Sequence, residues 1–278
     1  MHREMSSFEI ESGDIPKAFA LLSVERMAVL RSITGDDRDA IELHQQMLVV
    51  GAAMMPVMAI LEICLRNAVS ERLRTLFGTP DWLQAPPLPF AWRDEEKQSI
   101  LRAKRHAQRA LYTKKSQHEK RRLDRLAHPN GLPPGLSHEQ RVRNRQHQIQ
   151  ITLGQLVAQL TLVFWKRLFS NDYQSALWDR SLKKIFPDKS IGRSKVAESL
   201  EVIYQARNRI AHHEPLYGDR LTRAIEAIDF IVGKFGPKTV TSKTLIELMI
   251  KPHRDSLDGH AAKLAQMISR YTIRGEGQ

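Results

Sequence analysis

Helical periodicity dominates this sequence and constrains its fold more than any other feature. Apolar residues recur at helical spacing over most of the chain, while the period-two alternation of a strand is missing. The one short β-prone run is KTVT at 238–241. The sequence therefore predicts an all-α fold. The expected helices span 17–33, 37–77, 93–127, 138–170, 193–213 and 219–234, with weaker ones near 243–250 and 257–272.

The composition is that of a soluble globular protein, with 42% hydrophobic and 27% charged residues among 278. The most apolar stretch, 47–65, carries Glu62, and we interpret it as a buried core helix, so no membrane partner is expected. The polar N-terminus lacks the apolar segment of a secretion signal. Cys64 is the only cysteine, which excludes an intrachain disulfide and favours a cytoplasmic location.

Clusters of proline and glycine predict how the chain is divided. GTP at 78–80, PPLP at 86–89 and HPNGLPPG at 128–135 separate helical segments. We predict one helical-bundle domain over 1–240, with a long basic helical hairpin at about 93–147 within it, and a C-terminal helical extension over 241–278. Residues 93–147 are called the basic arm below.

Most of the net charge of +12 lies in this arm. Residues 101–150 contain thirteen Lys and Arg against three Asp and Glu. Such a segment favours a polyanion, and RNA is preferred to a membrane because no apolar face accompanies the charge; a solvated hairpin without a ligand is the alternative. The predicted RNA-binding residues are Arg102, Arg105, Arg109, Lys114, Lys115, Lys120, Arg121, Arg122, Arg141 and Arg143.

The segment ARNRIAHHEPL at 206–216 concentrates the side chains that could do chemistry. On a helix, Val196, Leu200, Ile203, Ile210 and Ala211 form one apolar stripe, with Arg207 in its middle. A charged side chain there must be paired or must face a second molecule. Arg207 and His212 are about 140° apart on a regular helix, so they converge only if the helix unwinds before Pro215 or if two copies meet about a two-fold axis.

These residue types suit metal-free RNA cleavage by the 2′-hydroxyl. Histidines can act as base and acid, and the fork of Arg207 can stabilise the developing phosphorane. Two alternatives remain. One is structural, with Arg207 paired in the core and both histidines capping the helix. The other is a metal site of His212, His213 and Glu214, which is disfavoured because adjacent residues rarely bind one ion. No motif implies a cofactor.

Three segments, in order along the chain, resemble one known family. RNRIAH at 207–212 resembles the RNxxxH form of the HEPN signature, and the doubled histidine is similar to the Abi-like (abortive infection) branch. LEICLRNAV at 61–69 is similar to the LExxLRNA helix of such proteins. LTLVFW at 160–165, LW at 177–178 and FP at 186–187 resemble their aromatic segment.

The resemblance implies a HEPN-like bundle, a homodimer or higher symmetric oligomer, and a metal-independent endoribonuclease without a cofactor. It implies a role in phage defence or as a toxin, with an antitoxin or a phage-derived trigger as further partner. Arg207 and His212 would be the catalytic pair, Asn208 their polar support and His213 a helper. The alternative is a non-catalytic RNA-binding or regulatory HEPN protein.

Overall fold

The computed structural model describes residues 10–276, and the prediction of an all-α fold is confirmed for them. Residues 1–9 of the polar N-terminus and the last two residues of the predicted extension lie outside this range. The described chain has no strand, only an isolated antiparallel bridge between Lys238 and Thr244, at the β-prone run. The helices are α1 Ile15–Leu21, α2 Val24–Thr34, α3 Asp37–Phe77, α4 Asp94–Thr113, α5 Gln117–Ala127, α6 His138–His147, α7 Leu153–Gln159, α8 Leu162–Arg167, α9 Arg193–Ala211, α10 Gly218–Lys234 and α11 Leu245–Glu276.

The chain divides into two units. The first comprises the residues up to 63 and from 198 onward, and the second comprises residues 64–197. In the first unit, α11 packs against α2 and α10. The amide of Gln46 in α3 donates to the carbonyl of His260 in α11 at 3.1 Å, and Arg254 in α11 binds Asp229 in α10. Residues 245–264 therefore contribute to the core of this unit.

The second unit is built around an aromatic core. Trp82, Trp92 and Phe164 are buried, and the rings of Trp92 and Phe164 lie 5.8 Å apart. Helix α4 packs on α7 and α6, and α6 also packs on α5. The basic arm thus lies within this unit as part of its packing.

The predicted hairpin of two long helices is wrong in detail, because local capping breaks both of them. At Ser116, the side chain accepts from the Glu119 N–H while the Glu119 carboxylate accepts from the Ser116 N–H, which starts α5. The same reciprocal bonds at Ser137 and Thr152 start α6 and α7. The arm is therefore three helices. Toward the C-terminus the opposite error occurs, since the two predicted weak helices form the single helix α11.

Helix α3 has the predicted bounds, and by length and composition alone it could cross a membrane. Of its most apolar window, 39% is buried inside the protein. Its exposed face carries Leu48, Met55 and Ile63. Gly51 lies beside this face, and a Cβ there would be 3.4 Å from Cγ2 of Ile210 in α9. A Cβ at residue 51 would therefore be in ordinary van der Waals contact with α9.

Candidate functional site

The C-terminal end of α9 is a tight reversal rather than an unwound helix. The N–H of Glu214 donates to the carbonyl of Arg209 at 2.8 Å, and the N–H of His213 donates to the carbonyl of Ile210 at 3.0 Å. This pair of bonds is the Schellman motif, whose left-handed residue is usually glycine. Here His213 occupies that position with φ of +54°. The predicted unwinding before Pro215 is therefore replaced by an ordered turn with a histidine in a strained backbone conformation.

The two arginines of the motif have different surroundings. Arg209 Nη1 lies 3.1 Å from the Glu214 carboxylate, and its Nε donates to the Pro215 carbonyl at 3.3 Å. Arg209 therefore fastens the turn to the last turn of α9. Arg207 is exposed, and its side chain makes no hydrogen bond or ion pair with residues 10–273, whose side chains the structure describes. Of the two, only Arg207 is available to a ligand.

The apolar stripe predicted for α9 is correct for its first part only. Val196, Leu200 and Ile203 are fully buried. Ile210 is half-buried beside Gly51 of α3, whereas Arg207 and Ala211 are exposed. Arg207 is therefore not a buried charge, and it has no desolvation cost that a partner must offset. Its pairing with a core carboxylate, the structural alternative, is not observed in the described chain.

Asn208 and His212 lie on one side of the helix end. The His212 N–H donates to the Asn208 carbonyl at 3.0 Å, so His212 still follows the helical path. Helical geometry then leaves Arg207 about 140° away from His212. His212 and His213 are both exposed, and Asn208 is half-buried. One copy of the chain thus carries the four predicted catalytic residues at the same helix end. Arg207 and His212 nevertheless lie on different sides of that helix, so they do not form one site.

Two residues near this end were not found by sequence reasoning. Arg26 in α2 donates from Nη1 to the carbonyl of His213 at 3.3 Å, across 187 positions of sequence. His44 in α3 is only 4% exposed, and neither ring nitrogen has a hydrogen-bond partner in the described chain. Burial, and then the positive charge of Arg26, lower the pKa of His44. No local sequence pattern marks either residue, because the contact of Arg26 and the burial of His44 both depend on how helices distant in sequence pack.

A metal site at the end of α9 has no structural support. Within residues 10–276, no three or more His, Cys, Asp and Glu side chains are grouped so that they could hold a metal ion. His212, His213 and Glu214 lie along a reversing backbone, and Glu214 is paired with Arg209.

The inner side of the basic arm is held together by one carboxylate. Asp124 in α5 is 8% exposed and accepts hydrogen bonds from both Arg141 and Arg145 of α6. These bonds, those from Arg145 first, hold the pKa of Asp124 well below its ordinary value. Arg145 also donates to the hydroxyl of Tyr112 at 3.1 Å, beside the small core of Tyr112, Leu123 and Ile149.

Helix α4 is anchored at its N-terminal end by a second buried carboxylate. Glu96 is 1% exposed, is paired with the Arg167 guanidinium, and accepts from the Tyr173 hydroxyl at 2.6 Å. Burial, with the hydrogen bond to Glu96, raises the pKa of Tyr173. At one end, the arm is thus anchored to the aromatic core of its unit through Glu96. At the other end, α5 and α6 of the arm are joined to each other through Asp124.

The predicted RNA-binding residues fall into two groups. Some are occupied within the arm: Arg141 binds Asp124, Lys115 binds Glu119 at 2.7 Å, Arg143 binds Glu139 at 3.0 Å, and Lys120 lies over the Tyr112 ring. The others are exposed and make no ion pair with the described chain; they are Arg102, Arg105, Arg109, Lys114, Arg121 and Arg122. Arg125, which was not among the predicted residues, belongs with the second group.

The α9 end lies in the first unit and the basic arm in the second. Comparison with protein-family models, with curated proteins and with solved structures found no match to this chain.

Proposed function

We propose that this protein is a metal-independent endoribonuclease of the HEPN type that acts in abortive infection, or as a growth-arresting toxin, in the cytoplasm. The observation that carries the proposal is the state of the α9 end. The side chains of Arg207 and His212 are exposed there and have no partner in the described part of the chain, while the neighbouring Arg209 binds Glu214 and the Pro215 carbonyl. An arginine and a histidine that are both exposed at one helix end are the residue types that suit a phosphate ligand, although one copy of the chain keeps them on different sides of the helix.

The chemistry follows from these residue types. A neutral histidine removes the proton of an RNA 2′-hydroxyl, and the oxygen attacks the adjacent phosphorus. The bond from phosphorus to the 5′-oxygen breaks, and a protonated histidine donates a proton to that oxygen. Arg207 stabilises the charge on the phosphorane oxygens. The products are a 2′,3′-cyclic phosphate and a 5′-hydroxyl end, and no step needs a metal or a cofactor.

The active species is a homodimer or a higher symmetric oligomer. One copy keeps Arg207 and His212 on different sides of α9, whereas two copies related by a two-fold axis supply each residue twice. Support comes from the first unit, where α3 exposes Leu48 and Met55 on either side of Gly51, the residue against which Ile210 of α9 packs. An exposed apolar face next to an incomplete site is suited to a second copy.

The principal experiment measures RNA cleavage in EDTA with the full-length protein. Wild-type protein is expected to cut RNA and to leave 2′,3′-cyclic phosphate ends. His212→Ala is expected to lower the rate at least a hundredfold, since general acid–base catalysis contributes about 10²–10⁴-fold, while the oligomeric state by light scattering stays unchanged. His253→Ala, at an exposed histidine of α11, is the matched control and should cut normally. Undiminished cleavage by His212→Ala would refute the assignment.

A second candidate is a non-catalytic RNA-binding or regulatory protein, for instance one partner of a toxin–antitoxin pair. The basic arm favours it, because its exposed arginines belong to a different unit from the α9 end. This function predicts RNA affinity that falls steeply with salt and no cleavage in any buffer. Induced expression in bacteria separates the two: growth arrest by wild-type protein, and not by Arg207→Ala with His212→Ala, supports the ribonuclease.

A further inference from the structure

The exposed faces of α4 and α5 carry two closely similar sets of arginines. On α4, residues 102, 105 and 109 follow the spacing i, i+3, i+7, which places them within about 60° of one another around the helix. On α5, residues 121, 122 and 125 lie within about 100°. All six side chains are exposed, and none makes an ion pair with the side chains of residues 10–273.

This arrangement differs from an ordinary solvated helix face, on which charges of both signs alternate. Residues 97–118 contain seven Lys and Arg and no Asp or Glu. The three acidic residues within 101–150 are used elsewhere, because Asp124 binds Arg141 and Arg145, Glu119 binds Lys115, and Glu139 binds Arg143. Like charges three or four residues apart each cost a few tenths of a kcal/mol in a helix. On the exposed arginine faces of α4 and α5, called the outer faces below, the like charges repel one another and weaken the helices slightly. A bound anion would reduce this repulsion.

The arm also exposes no Phe, Tyr or Trp on which an unpaired base could stack, and its exposed rings are those of His106, His118, His138 and His147. Among residues 97–150, all of which are described, the only Phe, Tyr or Trp is Tyr112. Its side chain is 8% exposed, and its hydroxyl accepts a hydrogen bond from Arg145. Proteins that bind single strands stack bases on exposed aromatic rings, whereas double-stranded RNA is recognised by its shape and backbone.

We propose that the outer faces of α4 and α5 bind the sugar–phosphate backbone of base-paired RNA, without regard to its sequence. That the nucleic acid is RNA rests on the proposed function. The new element is that the arm binds the base-paired regions of that RNA. Residues 102 and 109 lie about 10 Å apart along the helix axis. A duplex presents about twice as many phosphates over that distance as one strand does. Arg141 and Arg145 support the arm rather than contact the ligand, and the charge of the exposed Arg143 is paired with Glu139.

The test measures binding by fluorescence anisotropy, with the full-length protein carrying His212→Ala so that the RNA stays intact. The probes are a 20-base-pair RNA duplex, each of its strands alone, a duplex of unrelated sequence, and the same duplex as DNA. The RNA duplex is expected to bind at least tenfold more tightly than either strand, and the unrelated duplex within about twofold. Single strands that bind as tightly as the duplex, or DNA that binds more tightly than RNA, would overturn the proposal.

Two matched substitutions locate the binding face. Arg105→Gln and Arg143→Gln each remove one positive charge from an exposed arginine of the arm, but only Arg143 is paired with a carboxylate. Arg105→Gln is expected to weaken duplex binding about threefold to tenfold and to reduce the slope of log K against log salt by about one. Arg143→Gln should change affinity less than twofold. Equal losses in the two variants would overturn the proposal.

The combined variant Arg102→Gln, Arg105→Gln and Arg109→Gln is expected to lose at least tenfold in duplex affinity, with unchanged helix content by circular dichroism. Binding is read independently of cleavage. Duplex binding by a protein that never cleaves RNA refutes the ribonuclease and leaves this inference standing. Cleavage without a preference for the duplex refutes this inference alone.

Discussion

Replacing Asp124 with asparagine tests how the basic arm is assembled. The carboxylate is 8% exposed and is the common acceptor for Arg141 and Arg145, whose side chains are 37% and 12% exposed. Asparagine keeps the size but removes the charge, which leaves two guanidinium groups facing each other with one neutral acceptor. Breaking a fully buried pair costs about 3–5 kcal/mol. Because Arg141 is partly solvated, we expect the lower end, about 3 kcal/mol.

The appropriate assay is amide hydrogen exchange on the full-length protein, because the chain has two units and a global unfolding curve need not be two-state. A loss of about 3 kcal/mol corresponds to roughly a hundredfold faster exchange. The change should be confined to amides of α5, α6 and the end of α4, whose side chains form the small core around Tyr112 and Leu123.

The matched control is Glu139→Gln, which also removes a carboxylate from an arginine of α6. The Glu139–Arg143 pair is solvent-exposed, with side chains 83% and 63% exposed, so its loss should cost less than about 0.5 kcal/mol. If Asp124→Asn accelerates exchange no more than Glu139→Gln does, the carboxylate does not organise the arm and the reasoning is refuted.

The pH dependence of the Asp124 effect has a definite sign. Its pKa in the folded protein is below the unfolded value of about 3.9. The stabilisation is therefore fully present above about pH 5 and is lost as the pH falls through the lowered folded-state pKa. The difference between wild type and Asp124→Asn should be constant from about pH 5 to 8 and should shrink below about pH 4.

Three further predictions concern the first unit, each read by amide hydrogen exchange of the helices in that unit. His213→Gly should be neutral or stabilising by up to about 1 kcal/mol and His213→Val destabilising by about 1–2, because φ is +54° there; the reverse order would contradict the turn geometry. His44 has a lowered folded-state pKa and faces Arg26, so wild type should lose stability below about pH 6.5, and His44→Leu should lose less; parallel curves would contradict this. Gly51→Ala should be tolerated, because a Cβ meets Ile210 at 3.4 Å, whereas Gly51→Leu should cost about 1–3 kcal/mol; equal effects would argue against close packing.

The helices were predictable where local and tertiary preferences agree. The bounds of α3 match the periodic pattern at both ends, and those of α10 nearly do. The start of α6 was predicted, but the breaks that begin α5 and α7 were missed, although the sequence carries their signal. Serine or threonine followed three residues later by glutamate or glutamine occurs at 116, 137 and 152, and each marks a helix start. Apolar periodicity alone predicts one continuous helix across such a break, because a single capped turn barely changes the spacing of the apolar residues.

The candidate site divides in the same way. The order of Arg207, His212 and Pro215 along the chain is enough to predict that they gather at a helix end, since proline cannot continue the helix. Which arginine is occupied could not be predicted, because Arg207 and Arg209 are both compatible with a bond to Glu214 and the turn geometry decides between them.

By itself, the sequence determined that the protein is all-α, that its positive charge is concentrated in the arm, and that its chemical side chains gather at the end of one helix. These properties depend on residue type and short spacing, which are local. Only the tertiary structure decided that Asp124 pairs with two arginines 17 and 21 residues away and that Arg26 binds the carbonyl of His213. Pairing between distant residues depends on how helices pack, and packing is decided by the whole core rather than by any one segment.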